Sequence, residues 1–156
     1  MLYVQSNHLA SIRAHAVRDY PRECCGLLVG TVAATGAILH EVWPMANVWD
    51  AAAAAELAVA TDSEPRAASQ GSNFSIAPLE LLRAQKTARE RQLSIIGVYH
   101  SHPDHPARPS EFDRAIAWPQ YSYLIIAVPS GIAGEIRNWR LDDQQQFQPE
   151  PIVTDS

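Results

Sequence analysis

At 156 residues the chain fits one domain and is long enough to bury a hydrophobic core. With 47% hydrophobic and 19% charged residues, its composition is that of an ordinary globular protein. The net charge of −5, with Lys86 the only lysine and the arginines scattered, argues against a nucleic-acid partner.

The first residues, MLYVQSNHLASIRAHA, lack the basic region and unbroken apolar run of a secretion signal. Leu9, Ile12, Ala16 and Tyr20 repeat at helical spacing, with Ser6 or Asn7 as the expected cap and Pro21 as the stop. Cys24 and Cys25 are neighbours and cannot frame a loop-closing disulfide, which predicts small core hydrophobes in a reducing, cytoplasmic setting. They open CCGLLVGT, read as a buried strand, and Ile38–Met45 alternates as its partner.

From Trp49 to Ser75 the texture turns to Ala, Ser, Glu and Gln without a period, and the stretch reads as a mobile insertion. Its apolar run, Ala51 to Ala60, is broken by Glu56 and far too short to span a bilayer. Pro78 opens an amphipathic helix carrying Leu79, Leu82 and Ala88. SIIGVY, Ser94–Tyr99, is a strand that runs straight into His100. A proline-dense loop follows, then a helix from about Ser110 to Trp118 and strands at Tyr121–Val128 and Glu135–Leu141. The polar tail beyond Asp142 is expected to fray apart from a short strand near Ile152. Interleaved strands and helices define an α/β or α+β fold, a central mixed sheet flanked by helices in one domain.

The chemistry concentrates in HSHPDHPARPSEFD, His100 to Asp113. Side chains two apart on a strand share a face, so the His100 and His102 imidazoles can converge on one ion. The proline turn returns Asp113 from the start of a helix, and a third ligand there leaves an open position, as catalytic zinc requires. Each part alone has a plainer reading: exposed histidines, a rigid turn, and Ser110-x-x-Asp113 as a helix cap. Glu23, directly before the first buried strand, is the candidate proton acceptor, and a strand-end position paired with Arg22 is the alternative.

Together, Glu23-Cys-Cys-Gly-Leu-Leu and His100-Ser-His-Pro followed by Ser110-x-x-Asp113 closely resemble the JAMM/MPN+ metalloprotease family, in its small stand-alone bacterial form. The likeness extends over the first helix, Asn47, and Trp118 to Val128, and it leaves out the Ala-rich insertion and the tail. It implies a cytidine-deaminase-like single domain with Zn²⁺ held by His100, His102 and Asp113. It also implies that Glu23 takes a proton from the attacking water and passes it to the leaving amine, and that Ser110 donates to the oxyanion. His105 stays outside the ligand set, and His8, His15 and His40 read as ordinary helix or strand residues. The substrate class implied is a conjugate of a ubiquitin-like sulfur-carrier protein, cleaved at the carrier's C-terminus. A zinc amidase on small peptide or amino-acid conjugates and a silent MPN scaffold are the other readings.

Overall fold

Alternation along the strands decides the layers. In the computed structural model, which describes residues 1–50, 52–55, 58, 71 and 73–155 (side chains of 115 and 116 excepted), the strands form one mixed sheet. In chain order the elements are β1 (Leu2–Val4), α1 (Ser6–Asp19), β2 (Cys25–Ala33), β3 (Gly36–Met45), α2 (Pro78–Glu90), β4 (Ser94–Pro103), α3 (Glu111–Ile116), β5 (Ser122–Val128), β6 (Ile136–Leu141), β7 (Phe147–Pro149) and β8 (Ile152–Thr154). The sheet order is β7-β6-β5-β4-β2-β3-β1-β8. β2 lies antiparallel to both β3 and β4, and β4 lies parallel to β5.

Strands in the middle of such a sheet are covered on both faces, so β2 reads as a continuous apolar run. Its side chains divide by parity. Cys25, Leu27 and Val29 join Val98, Ile125, Trp49 and Phe74 in a core on the α2–α3 side. Cys24 and Leu28 join Ile12, Ala16, Tyr99 and Leu124 in a second core under α1. Both cysteines are buried and unbridged, and burial pushes the Cys24 thiol up to about 12, so neither is a reactive thiolate. Two glycines on the central strands have a steric reason. A Cβ on Gly26 would lie 2.2 Å from the Tyr99 ring, and one on Gly97 would lie 2.3 Å from the Ser122 carbonyl oxygen.

Several details differ from the sequence expectation; in α2 the expected Leu79 and Leu82 are exposed, and Ala84 and Ala88 are the buried positions. α1 is capped at Gln5, where His8 Nδ1 accepts from the Gln5 N–H at 3.0 Å, because Ser6 is occupied with the Asp155 carboxylate. The tail is anchored beyond the expected short strand at Ile152, which is β8 and pairs with β1: β7 also pairs with β6, and Glu150 accepts from Ser122, Asn138 and Arg140. The flanks of the expected insertion belong to the core. Trp49, Ala54 and Phe74 are buried, and residues 52–55 are helical. An alanine-rich stretch carries no periodic signal when a few large anchors at its ends do the packing. The rest of that expectation falls on 59–70, outside the described residues. Among the described residues no helix is long and apolar enough to cross a membrane.

Candidate active site

β4 continues past Tyr99 to Pro103, so His100 and His102 are strand residues and their side chains leave on the same face. Tyr99 and Ser101 point the other way. Tyr99 Oη lies 2.8 Å from His15 Nδ1 under α1, and Ser101 Oγ accepts from the Cys24 N–H at 2.8 Å. The alternation thus splits a structural anchor from a functional one within four residues. β2 runs alongside, with Cys25 opposite His100, which brings the preceding Glu23 to the same end of the sheet.

The two imidazoles meet. His100 Nε2 and His102 Nε2 are 3.2 Å apart. Asp113, buried on α3, places Oδ1 3.2 Å from His100 Nε2 and Oδ2 3.2 Å from His102 Nε2. Ser110 and Asp113 form a capping box: the Ser110 N–H donates to Asp113 Oδ2 at 2.8 Å, and Ser110 Oγ accepts from the Asp113 N–H at 3.1 Å. The capping pattern and the convergence on the histidines are therefore one arrangement. The cap fixes the carboxylate rotamer, and the rotamer faces the imidazoles. Burial by itself would raise the Asp113 carboxyl, but His100 and His102 hold it well below the usual carboxylate range.

The donor set fits a divalent cation. His102 Nδ1 lies 2.9 Å from the Pro106 carbonyl oxygen, which can only accept. Nδ1 therefore carries the proton, and a neutral His102 turns the Nε2 lone pair toward His100 and Asp113. Lone pairs and a carboxylate gathered at 3.2 Å separations repel one another unless a positive charge sits among them. Tetrahedral zinc with bonds of about 2.0–2.2 Å separates its ligand atoms by about 3.3–3.5 Å, close to what these side chains already adopt. His100 is oriented differently: its Nδ1 is buried without a hydrogen-bond partner among the described residues, and its ring stacks on Phe74 at 4.6 Å.

Glu23 stands beside this cluster. Its carboxylate and the two histidines place one ligand atom each within 4.8 Å of one another, and the residue is 3% exposed. With His102 and Ser110, Glu23 lines a cavity of about 290 Å³ whose wall also includes His105, Pro106 and Arg108. The structure thus brings all five sequence-nominated residues, Glu23, His100, His102, Ser110 and Asp113, to one end of the sheet. His105 sits on the cavity wall, where its N–H donates to the His102 carbonyl at 3.3 Å, and among the described residues its imidazole makes no hydrogen bond to the cluster. His8 and His15 are more than ordinary helix residues: both are buried and hydrogen-bonded, His8 through Nε2 to the His40 carbonyl and His15 to Tyr99.

Sequence reasoning missed Phe74 and the role of Asn47. Phe74 lies in a stretch without periodicity, and no local signal marks it. Asn47 directly follows a strand, where an amide is often only a turn residue. Here it bonds four backbone groups around Glu23.

The mixed sheet, covered by helices on both faces, thus carries a histidine–carboxylate cluster at one end of its central strands. The chain belongs to the family described as prokaryotic homologs of the JAB domain, which matches residues 5–142. Among curated relatives, a probable TtuB-protein conjugate cleaving protease of Thermus thermophilus is 33% identical over 125 residues, covering 80% of this chain and 69% of that one. A desampylase of Haloferax volcanii is 35% identical over 125 residues, covering 79% and 74%. A solution structure of a Desulfitobacterium hafniense protein superposes with a TM-score of 0.76 at 26% identity, covering 100% of this chain and 94% of the other. A JAB1/MPN domain protein from Archaeoglobus fulgidus shares the fold at a TM-score of 0.57 and 14% identity, covering 99% of each.

Proposed function

We propose that this chain is a zinc-dependent isopeptidase that hydrolyses the amide bond at the C-terminus of a ubiquitin-like sulfur-carrier protein in its conjugates. The observation that carries the reading is the triangle of His100, His102 and Asp113 ligand atoms at 3.2 Å, with Glu23 beside it. The names of the relatives, a TtuB-conjugate cleaving protease and a desampylase, support a protein conjugate as substrate.

His100, His102 and Asp113 would hold the ion, and the Pro106 carbonyl would keep His102 in the ligating tautomer. When bound, zinc supplies Lewis acidity and makes hydroxide available near neutral pH. Glu23 accepts the proton of the attacking water and returns it to the leaving amine. Ser110 uses a lone pair of Oγ to accept from the Asp113 N–H, which leaves its own O–H to donate to the oxyanion. Capping and catalysis are compatible in one hydroxyl.

The test is cleavage of carrier conjugates by the purified protein, with and without a zinc chelator. Cleavage after the carrier's C-terminal glycine that stops on chelation and returns with zinc supports the reading. Cleavage indifferent to the chelator overturns it.

A further inference from the structure

The loop between β4 and α3 does more than return Asp113 to the histidines. It is pinned at four points: the His105 N–H to the His102 carbonyl, His102 Nδ1 to the Pro106 carbonyl, the Arg108 N–H to the Pro106 carbonyl, and Trp139 Nε1 to the Ala107 carbonyl. Ala107 is buried, and Pro103, Pro106 and Pro109 remove backbone freedom on either side. A loop so fixed presents its side chains at set positions. One of these is Arg108, on the wall of the cavity shared by Glu23 and Ser110.

Arg108 has no ion-pair or side-chain hydrogen-bond partner among the described residues. The acids closest to it in sequence are engaged elsewhere: Asp104 with Tyr20 and Ser130, Glu111 with Arg114, and Asp113 with the histidines, while Glu23 shares the cavity wall with it. A guanidinium carries five donors in a planar fork that matches a carboxylate, and here the fork is unspent. The cavity, about 290 Å³, sits at the small end of ligand sites and takes one or two residues rather than a protein surface.

Glu23, which hands a proton to the leaving amine, lines the same cavity. We infer that Arg108 forms a carboxylate subsite on the leaving-group side, selecting conjugates whose leaving amine belongs to an amino acid with a free carboxylate close to the scissile bond. This rests on the amide-hydrolase reading of the site. A lysine side chain within a protein offers no such group at that distance, so Arg108 adds binding and rate for a short, C-terminal leaving group and stands idle while an internal isopeptide is cleaved.

The experiment has two arms on the zinc-loaded protein. In the first, Gly-Gly-Ala and its C-terminal amide are titrated by calorimetry into Glu23→Gln protein, which keeps the cavity, with and without Arg108→Gln added. The acid is expected to bind at least about tenfold more tightly than the amide, with the preference lost on Arg108→Gln and partly kept on Arg108→Lys. In the second, a Gly-Gly-ending carrier extended by one alanine, as acid or amide, is offered to wild type and to Arg108→Gln. The acid should be cleaved about tenfold faster in kcat/KM by wild type, and Arg108→Gln should level the two. Binding preference without cleavage of either carrier would refute the hydrolase reading and leave the subsite standing. Cleavage of both carriers at equal rates, equal binding of acid and amide, no measurable binding of the acid, or a preference that survives Arg108→Gln would each overturn the subsite.

Discussion

The side-chain amide of Asn47 donates to the main-chain carbonyls of Glu23 and Asn73, at 3.0 Å each. Its Oδ1 accepts from the Trp49 and Ser75 N–H groups at 3.0 and 3.2 Å. One side chain therefore ties Glu23, two residues before β2, to both ends of the 49–75 stretch, and through Ser75 to the neighbour of Phe74. Asn47→Ala orphans four backbone groups at once. With about 1–3 kcal/mol for each group left unpaired and buried, less what water recovers, the expected loss is about 2–4 kcal/mol. Thermal melting reads this as a drop of about 5–15 °C. Asn47→Asp keeps the acceptor and loses both donors, so it should fall nearly as far. A midpoint within about 1 °C of wild type for both variants contradicts the clip.

The network behind the site sets a pH dependence of stability. His15 is buried under α1, 2.8 Å from Tyr99 Oη through Nδ1 and 3.2 Å from Asp19 through Nε2. Burial lowers its pKa by more than Asp19 raises it. In the unfolded chain His15 takes a proton near pH 6.5, while in the folded chain it does so only at lower pH. Stability from this residue is therefore complete above about 6.5 and is lost as pH falls from there toward the lowered folded value. Melting midpoints measured from about pH 7.5 to about pH 5.5, at equal zinc, should fall more steeply for wild type than for His15→Gln. Parallel slopes would show that His15 takes no part.

For the metal, the expectation is about one zinc per chain, released by His100→Ala, by His102→Ala and by Asp113→Ala. Asp113→Ala also loses half of the capping box, so its melting midpoint should drop further than that of a surface alanine substitution. Native mass spectrometry separates the two effects, since zinc is counted on the folded species. Full zinc retention in the His102→Ala protein would refute the coordination.

Much of the site is legible in the sequence because its geometry is local. His100 and His102 share a strand face by parity, and Ser110 and Asp113 share a helix N-terminus by an i, i+3 spacing. Glu23 is legible for a different reason, a charge set directly against a core strand. The contributions of Phe74, Asn47 and His15 were not legible, because each depends on a contact with a residue far along the chain. Phe74 stacks on His100, Asn47 bonds Glu23, and His15 meets Tyr99. In the fold, α1 declares itself by period and β2 by an unbroken apolar run, whereas the leucine spacing in α2 misplaces its buried face, which is Ala84 and Ala88. β1 and β7, of three residues each, are too short to show a period and exist because neighbouring edges pair with them, while the equally short β8 is the strand expected near Ile152.

The assignments of Glu23 and Ser110 are separable from each other and from the metal. Glu23→Gln is nearly isosteric, so fold and zinc content should be retained. Glutamine can hydrogen-bond the attacking water but cannot take its proton, and a loss of about 10²–10⁴-fold in kcat is expected, with KM little altered. Ser110→Ala is a different experiment, because Ser110 Oγ accepts from the Asp113 N–H and also has a proton to give. Loss of the cap should lower stability by about 1 kcal/mol. Loss of the donor should lower kcat by up to about 10²–10³-fold. Ser110→Thr keeps both functions of the hydroxyl and should recover stability and most of the turnover. Melting and kcat measured together on Glu23→Gln, Ser110→Ala and Ser110→Thr therefore separate the roles. A Ser110→Ala protein with wild-type kcat and a lowered midpoint would reduce Ser110 to a cap, and a Glu23→Gln protein turning over conjugate at the wild-type rate would remove Glu23 from proton transfer.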